Sequence, residues 1–349
     1  MSASVRPLRW ATALIAVSTL ALTGCGGSSA AQDAVGAGKK RTAALAATVP
    51  KGTVLRIGDQ NEALQTLLKA SGQDQGTPYK LEFSSFQGGP SILEAFRGGA
   101  LDAGIVAETP AIFAQASKQD VAVVGVQQGS RNASRLVTAV GSSAKSVADL
   151  KGKKIAYTEG TTFQPAVLKA LKNAGLKKDD VQLVNLQILD IPAALQTKQV
   201  DAAVLTEPLR SKYLVPYAAK GAHLLDDATD LTSGLQLLIS PGKAVDDKAK
   251  AAALRDLTAR WTKASKWANA HPQEWVKAYY VDAQKLPEKA GLLINKATGT
   301  ATFPTYDEAA KAQQEVADLL IEAGAVPGPL DVSSEFDHRF EAAQQEAAK

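Results

Sequence analysis

Cysteine, histidine and aromatic residues are scarce in this chain: its 349 residues include one cysteine, three histidines and 5% aromatic residues. A single cysteine, Cys25, cannot form an intramolecular disulfide, and it has another expected role described below. His271 and His338 have no partner at the spacing of metal ligands. We therefore expect no catalytic residue, no metal site and no cofactor.

Dense positive charge is also missing. The formal net charge is +4, and Lys and Arg are mixed with Asp and Glu along the chain. This pattern predicts a solvated surface and no nucleic-acid partner. The glycine pair at Gly88 and Gly89 is followed by Pro90 rather than by Gly-Lys-Ser/Thr, so it is not a P-loop, and nucleotide binding is disfavoured.

The N-terminus carries the most specific signal. Arg6 and Arg9 precede an apolar run over residues 10–22, which is too short to span a bilayer and fits a secretory signal peptide. The run ends in Leu-Thr-Gly-Cys at Cys25, which resembles the bacterial lipobox. We expect residues 1–24 to be removed and Cys25 to be acylated, which would anchor the protein in the lipid bilayer at the extracytoplasmic face of the cell membrane. Residues 25–52 are expected to form a flexible tether, because Gly, Ser, Ala and scattered charge bury little apolar surface.

Short apolar strands alternate with amphipathic helices from residue 53 to about 240, which predicts an α/β fold with mostly parallel sheets. After about residue 245, Ala-rich helical segments replace the strands. Residues 101–108 and 200–207 resemble each other: each has Asp-Ala, an apolar strand, and a Glu six residues after the Asp. The echo predicts two lobes of like topology with a cleft between them.

Ligands of open parallel sheets bind beyond the carboxyl ends of the strands, where helix N-termini attract anions. Five strand-to-helix junctions qualify, with Asn61 and Thr109 as expected N-caps and Pro90 suited to the first helical position. Ordinary helix capping explains any one of these junctions, and only their clustering favours a binding site. The predicted ligand-binding residues from them are Gln60, Asn61, Gln87, Gly88, Gly89, Glu108, Thr109, Gly160, Thr161, Thr162, Phe163 and Glu207.

Arg131 is the best single candidate for pairing with a ligand oxyanion, although a solvated surface Arg is equally consistent with the pattern. Glu108 and Glu207 could form the carboxylate pair of a glycosidase, but hydrogen bonding to a ligand or helix capping is favoured. If Glu159 faced the cleft as well, three carboxylates would repel a bound anion and would favour an amine or a zwitterion.

Ordered motifs along the chain resemble the periplasmic substrate-binding proteins of ABC importers, in the group that takes up aliphatic sulfonates, taurine, nitrate and pyrimidine precursors. The motifs that carry the resemblance are Phe86-Gln87-Gly88-Gly89-Pro90, the segments 99–104 and 108–110, Asp149-Leu150-Lys151-Gly152, the segments 175–181 and 200–203, and Gln313 to Asp318 with Gly324 and Asp331.

The resemblance implies a two-lobed fold of the periplasmic-binding-protein type, with lobe I at 53–138 and 237–349 and lobe II at 139–236. The chain would cross between the lobes near residues 137–142 and 232–238. It also implies a small-molecule ligand, a permease partner with its cytoplasmic ATPase, and a monomer. A sensory lipoprotein remains an alternative, and an enzyme on the same fold is a weaker one, because the sulfinate-cleaving enzymes of this fold need a cysteine in the cleft.

Overall fold

The computed structural model describes residues 39–349. The predicted signal peptide, Cys25 and the first part of the tether lie outside the described residues. The strands are β1 Val54–Gln60, β2 Lys80–Phe86, β3 Ala103–Ala107, β4 Val121–Gln128, β5 Ser134–Thr138, β6 Lys154–Tyr157, β7 Gln182–Asn185, β8 Ala202–Thr206 and β9 Leu235–Pro241. The α-helices are α1 Ala63–Ala70, α2 Gly89–Arg97, α3 Glu108–Ala116, α4 Phe163–Asn173, α5 Ile191–Gln196, α6 Leu209–Tyr217, α7 Gly242–Asp246, α8 Lys248–Ala270, α9 Pro272–Trp275, α10 Glu288–Thr298, α11 Tyr306–Glu322 and α12 Glu341–Ala348. The alternation of strands and helices predicted up to residue 240, and the helical region after it, are both confirmed.

The strands form two sheets, in the orders β2-β1-β3-β9-β4 and β5-β8-β6-β7. Strands β1, β2 and β3 of the first sheet are parallel, as are β6, β7 and β8 of the second. The prediction of mostly parallel sheets holds only for these strands, because β9 is antiparallel to both β3 and β4, and β5 is antiparallel to β8. Strands β5 and β9 each enter their sheet from the other lobe, so they run against their neighbours.

The two segments that resemble each other occupy equivalent places. Strands β3 and β8 each lie between a parallel strand and an antiparallel one. The Asp before each strand also has the same role: Asp102 accepts a hydrogen bond from the backbone N–H of Arg56 at 3.0 Å, and Asp201 accepts one from Lys154 at 2.8 Å. Each carboxylate thereby ties its strand to the start of the neighbouring parallel strand.

The chain crosses between the sheets twice. The first crossing lies between Gln128 and Ser134, earlier than the expected residues 137–142. The expected boundary at 138/139 is therefore wrong, since residues 134–138 pair with β8 in the second sheet. The second crossing immediately precedes Leu235, where β9 joins the first sheet.

Residues 39–52 are packed against the first lobe, so this part of the expected tether is corrected. The Arg41 side chain is 6% exposed and forms ion pairs with Asp120 at 2.8 Å and Asp246 at 2.9 Å. Leu45 and Val49 contact the core of the first sheet. The ion pairs and the small apolar contacts together hold a segment whose composition alone predicted a flexible chain.

Helix α8 is the longest helix in residues 39–349, and it packs on the first sheet. The Asp247 carboxylate caps its start by accepting from two backbone N–H groups, and the side chains of Leu254, Leu257 and Trp261 are buried against the sheet.

No helix in residues 39–349 is long and apolar enough to cross a membrane.

Candidate functional site

A cleft lies between the carboxyl ends of the parallel strands of the two sheets. Its larger part, which we call the large cavity, has a volume of about 660 Å³, and its smaller part, the helix-start cavity, has about 190 Å³. The residues that line both are Gln60, Ala107, Thr162, Thr206 and Glu207, so the two parts are continuous. They come from the ends of β1, β3 and β8 and from the start of α4, which means that both lobes contribute to one site.

Four helices begin at the helix-start cavity. Its lining includes the first residues of α2, α4 and α6, together with Ala107 and Pro110 at the start of α3. The first N–H groups of a helix have no partner within the helix and carry the positive end of its dipole. The helix starts of both lobes therefore favour a negatively charged group in this cavity.

The Gly88-Gly89 loop brings two of these helix starts close together. A Cβ atom on Gly89 would lie 2.2 Å from Cγ of Pro110, and Gly88 has a φ of +89°. Glycine is therefore required at both positions, once for close approach and once for backbone conformation. Helix α2 begins at Gly89, which places Pro90 second in the helix and not first as expected.

On the opposite lobe, the loop before α4 is ordered by its own hydroxyl groups. Thr161 donates to the carbonyl of Thr158 at 2.8 Å and accepts from the N–H of Phe163 at 3.2 Å. Gly160, with φ +71°, donates its N–H to the Gln164 side chain at 3.0 Å. Thr161, Thr162 and Phe163 line the helix-start cavity, whereas Gly160 supports the loop from behind without lining either part of the cleft.

The turn after β1 differs from the prediction in one respect. Gln60 lines the cleft, and its side chain donates to the carbonyl of Ile105 at 2.8 Å. Asn61 lines the cleft but does not cap α1. The buried Asp59 carboxylate has that role, because it accepts from the N–H groups of Leu64 at 3.0 Å and Gln65 at 2.9 Å.

Glu207 lies on the cleft wall but is paired. Its carboxylate is 2.7 Å from the guanidinium of Arg210, and both side chains are less than 10% exposed. Arg210 also donates to the carbonyls of Asn132 and Ala133, both at 3.1 Å. Arg210 was not predicted, although its position three residues after Glu207 at the start of a helix is a readable signal for an ion pair.

Glu108 is 1% exposed, and neither of its carboxylate oxygens has a hydrogen-bond partner among the described residues. Burial raises the pKa of Glu108 to about 7, and the smaller opposing effects of Ser233 and Lys169 do not offset it. It lines the large cavity and, on its other side, a third cavity described below. Near neutral pH this residue therefore carries only part of a negative charge.

The other predicted residues are placed differently. Glu159 is exposed and forms a hydrogen bond with Asn185 at 3.2 Å, so it lines neither part of the cleft. Thr109 is fully buried, also lines neither part, and does not cap α3, whose N-cap is Ala107. Arg131 lies outside the cleft and lines the third cavity instead. Gln87 is exposed and lines the helix-start cavity.

Several lining residues were not predicted: some lie in or beside β4, β5 and β9 rather than at the strand-to-helix junctions, and the others lie in the helical C-terminal region. The helical C-terminal region contributes side chains to the large cavity, and sequence periodicity indicated only packing there. The unpredicted polar and aromatic residues of the large cavity include Gln127, Ser130, Ser134, Gln236, Ser265, Asn269, Trp275, Asn295, Lys296 and Thr298. No group of three or more His, Cys, Asp or Glu side chains suited to a metal ion occurs in residues 39–349.

Two lobes with a cleft between their sheets define a protein of the periplasmic-binding-protein class, which solved structures confirm. The chain belongs to the NMT1/THI5 like family, whose profile matches residues 80–275. It is 32% identical over 284 residues to the putative aliphatic sulfonates-binding protein of Escherichia coli (strain K12), covering 80% of this chain and 86% of that protein. The resemblance drawn from the sequence motifs is thus confirmed.

Two solved structures show the same fold. The periplasmic aliphatic sulphonate binding protein SsuA from Escherichia coli matches with a TM-score of 0.70 at 29% identity, covering 82% of this chain and 92% of that one. The alkanesulfonate-binding protein SsuA from Xanthomonas axonopodis pv. citri bound to MOPS matches with a TM-score of 0.73 at 25% identity, covering 82% and 99%. Both are named as binding proteins.

Proposed function

We propose that this chain is an extracytoplasmic, lipid-anchored solute-binding protein that captures an organic sulfonate in the interlobe cleft and delivers it to an ABC importer. The sulfonate class includes zwitterions such as taurine. The observation that carries the proposal is the convergence of four helix starts, from both lobes, on the helix-start cavity.

A sulfonate group suits this cavity because its three oxygens can accept hydrogen bonds from N–H groups on several sides. Each helix N-terminus typically stabilises an anion by about 0.3–1 kcal/mol at an exposed site and by more in a partly buried one. Thr161 and Thr162 place hydroxyl groups beside the same cavity. An anion there would draw the two lobes together, since each lobe contributes donors.

The carboxylates of the cleft do not oppose an anionic ligand as strongly as the sequence indicated. Glu207 is paired with Arg210, Glu108 is held partly neutral by burial, and Glu159 points elsewhere. The organic part of the ligand would extend from the helix-start cavity into the large cavity. The polar lining and Trp275 of that cavity favour a tail with hydrogen-bonding groups over a plain alkyl chain.

Delivery to an importer requires contact with both lobes on the cleft side. Four large apolar side chains are notably exposed among the described residues: Leu189 61%, Val215 76%, Leu292 43% and Leu293 62%. Leu189 lines the helix-start cavity, Val215 is on α6, and the two others are on α10, whose residues Asn295 and Lys296 line the large cavity. Both lobes thus offer an apolar contact near the cleft to a permease.

Calorimetry on the purified chain tests ligand capture. The titrants are an alkanesulfonate, taurine, a morpholine sulfonate, nitrate and the carboxylate analogue of each sulfonate. We expect at least one sulfonate to bind and its carboxylate analogue to bind more weakly. Thr162→Val should weaken binding about tenfold by removing a hydrogen bond to a charged group, whereas Thr197→Val, on the exposed side of the same lobe, should not. Absence of binding by every sulfonate would reject the proposal.

The lipid anchor has a separate test. Cys25→Ser should abolish incorporation of labelled palmitate and release the protein from the membrane fraction, with ligand affinity unchanged. If the Ser variant still incorporates palmitate, Cys25 is not the acylated residue.

A further inference from the structure

A third cavity of about 190 Å³ lies beside the two crossing segments, and we call it the hinge-side cavity. Helix α4 of the second lobe forms one wall through Pro165, Lys169 and Lys172. Helix α11 forms the opposite wall, and residues 131 and 231–233 of the crossing segments complete it. It shares Glu108 and Thr232 with the large cavity, so these two residues separate the solute cleft from the hinge-side cavity.

Three basic and two acidic side chains line the hinge-side cavity. Arg131, Lys169 and Lys172 are the basic residues, and Lys172 also forms an ion pair with Glu322 at 2.6 Å. Opposing them are the exposed Glu315 of α11 and the buried Glu108. The polar side chains of Thr232 and Ser233 lie between the charged groups.

Glu108 is the unusual member of this set. It is 1% exposed, and neither of its carboxylate oxygens forms a hydrogen bond of ordinary geometry with the described residues, although the hydroxyl and N–H of Ser233 lie close enough to lower its pKa slightly. A buried polar group without a partner is costly, so a native protein normally supplies one. The charged residues that share its two cavities come from several elements: Lys169 and Lys172 of α4, Arg131 of the crossing segment and Glu315 of α11 in the hinge-side cavity, and Glu207 and Lys296 in the large cavity.

We propose that the hinge-side cavity is a second binding site, separate from the solute cleft, for a small inorganic oxyanion that Arg131 and Lys169 hold by charge and that the protonated carboxyl of Glu108 holds by donating a hydrogen bond. Binding then takes up a proton on Glu108, because an ionised carboxylate would repel the anion. The neutral form is accessible near physiological pH, since burial raises the pKa of Glu108 to about 7. The cavity volume of about 190 Å³ accommodates an anion of the size of sulfate or phosphate.

Calorimetric titration with inorganic sulfate tests the proposal, because sulfate keeps its charge between pH 6 and 8 and any pH dependence belongs to the protein. We expect sulfate to bind with an affinity that falls by about tenfold per pH unit above 7, the slope for uptake of one proton. Arg131→Ala with Lys169→Ala should weaken binding at least tenfold. Lys263→Ala, an exposed lysine that lines none of the three cavities, is the matched control and should bind as the parent chain does.

Glu108→Gln tests whether the pH dependence comes from Glu108, because the glutamine amide donates a hydrogen bond at every pH. This variant should bind sulfate with an affinity independent of pH. If it does not fold, the pH profile of the parent chain and the Arg131/Lys169 variant decide the question alone.

Three results would overturn the proposal: no sulfate binding at 10 mM, binding that the Arg131/Lys169 variant retains, or binding that does not change with pH. Retained binding would place the anion in the solute cleft. The proposed sulfonate site is judged separately by Thr162→Val, which should leave sulfate binding in the hinge-side cavity intact.

Discussion

The Glu207 carboxylate and the Arg210 guanidinium lie 2.7 Å apart on the cleft wall, and Arg210 also donates to the carbonyls of Asn132 and Ala133 in the first crossing segment. The ion pair thus neutralises a carboxylate on the cleft wall. Through its other two hydrogen bonds, Arg210 also ties α6 to the first crossing segment. A ligand that contacts Glu207 is therefore linked, through Arg210, to the first crossing segment.

Removing Arg210 should harm both stability and binding. Arg210→Ala leaves a nearly buried carboxylate without its cation, and we expect the free energy of unfolding to fall by about 3 kcal/mol and sulfonate affinity to fall as well. Chemical denaturation and calorimetry measure the two effects. Arg97→Ala is the matched control, because Arg97 also pairs with a Glu three residues away but at an exposed site, and it should cost less than about 1 kcal/mol. Equal losses in the two variants would contradict a special role for the Glu207–Arg210 pair.

The close approach of α2 and α3 depends on Gly89. A methyl group there would overlap the Pro110 ring, so Gly89→Ala should lower the free energy of unfolding by about 1–3 kcal/mol and weaken anion binding by separating the helix starts. Gly98, at the other end of α2, has a helical φ of −70° and no atom within 3.4 Å of an added Cβ. Gly98→Ala should therefore change stability by less than about 0.5 kcal/mol. Denaturant titration of both variants checks this, and a well-tolerated Gly89→Ala would show that the helix starts need not meet closely.

Acid stability should depend on Asp102. Burial by itself would raise the pKa of Asp102, but hydrogen bonds from Arg56 and Lys250 outweigh it and hold the pKa below the ordinary value. The contribution of Asp102 to stability is therefore present above pH 4 and is lost as the pH falls through the lowered pKa. Asp102→Asn should cost about 3 kcal/mol at pH 7, and the difference from the parent chain should shrink below pH 4.

Asp201 provides the comparison for Asp102, because it occupies the equivalent position in the second lobe and accepts from the Lys154 N–H. Its side chain is not fully buried, so Asp201→Asn should cost only about 1 kcal/mol. A larger loss from Asp201→Asn than from Asp102→Asn would show that the two cations on Asp102 contribute little.

The exposed apolar side chains that lie outside the cavities should matter for transport and not for capture. Val215→Asp and Leu293→Asp place charge on the two lobes at the surface proposed for the permease, so solute uptake by cells should fall several-fold. Neither residue lines a cavity, so ligand affinity measured on the purified variants should stay within about twofold of the parent chain. Lys263→Asp, an exposed change away from the cavities, is the control. Unimpaired uptake with both residues changed would move the docking surface elsewhere.

Much of the fold could be predicted, because strand and helix periodicities are local. The alternation of strands and helices predicted up to residue 240, and the helical region predicted after it, both occur among the described residues. The repeated Asp-Ala-strand-Glu pattern correctly indicated two equivalent lobes, since the Asp that precedes each strand ties it to its parallel neighbour. The family could be identified for the same reason, as its motifs are local turns and helix starts.

Contacts between side chains that are distant in the sequence could not be predicted, because they depend on how the lobes pack. Local sequence specifies which loops precede helices and hence where Gly88, Gly89 and Thr162 would offer donors to an anion. Packing in three dimensions sets the surroundings of the charged side chains: it buries Glu108, pairs Glu207 with Arg210, and places Arg131 at the hinge-side cavity. The free energy of a charge depends on its burial and its neighbours in space, and the order of residues along the chain specifies neither directly.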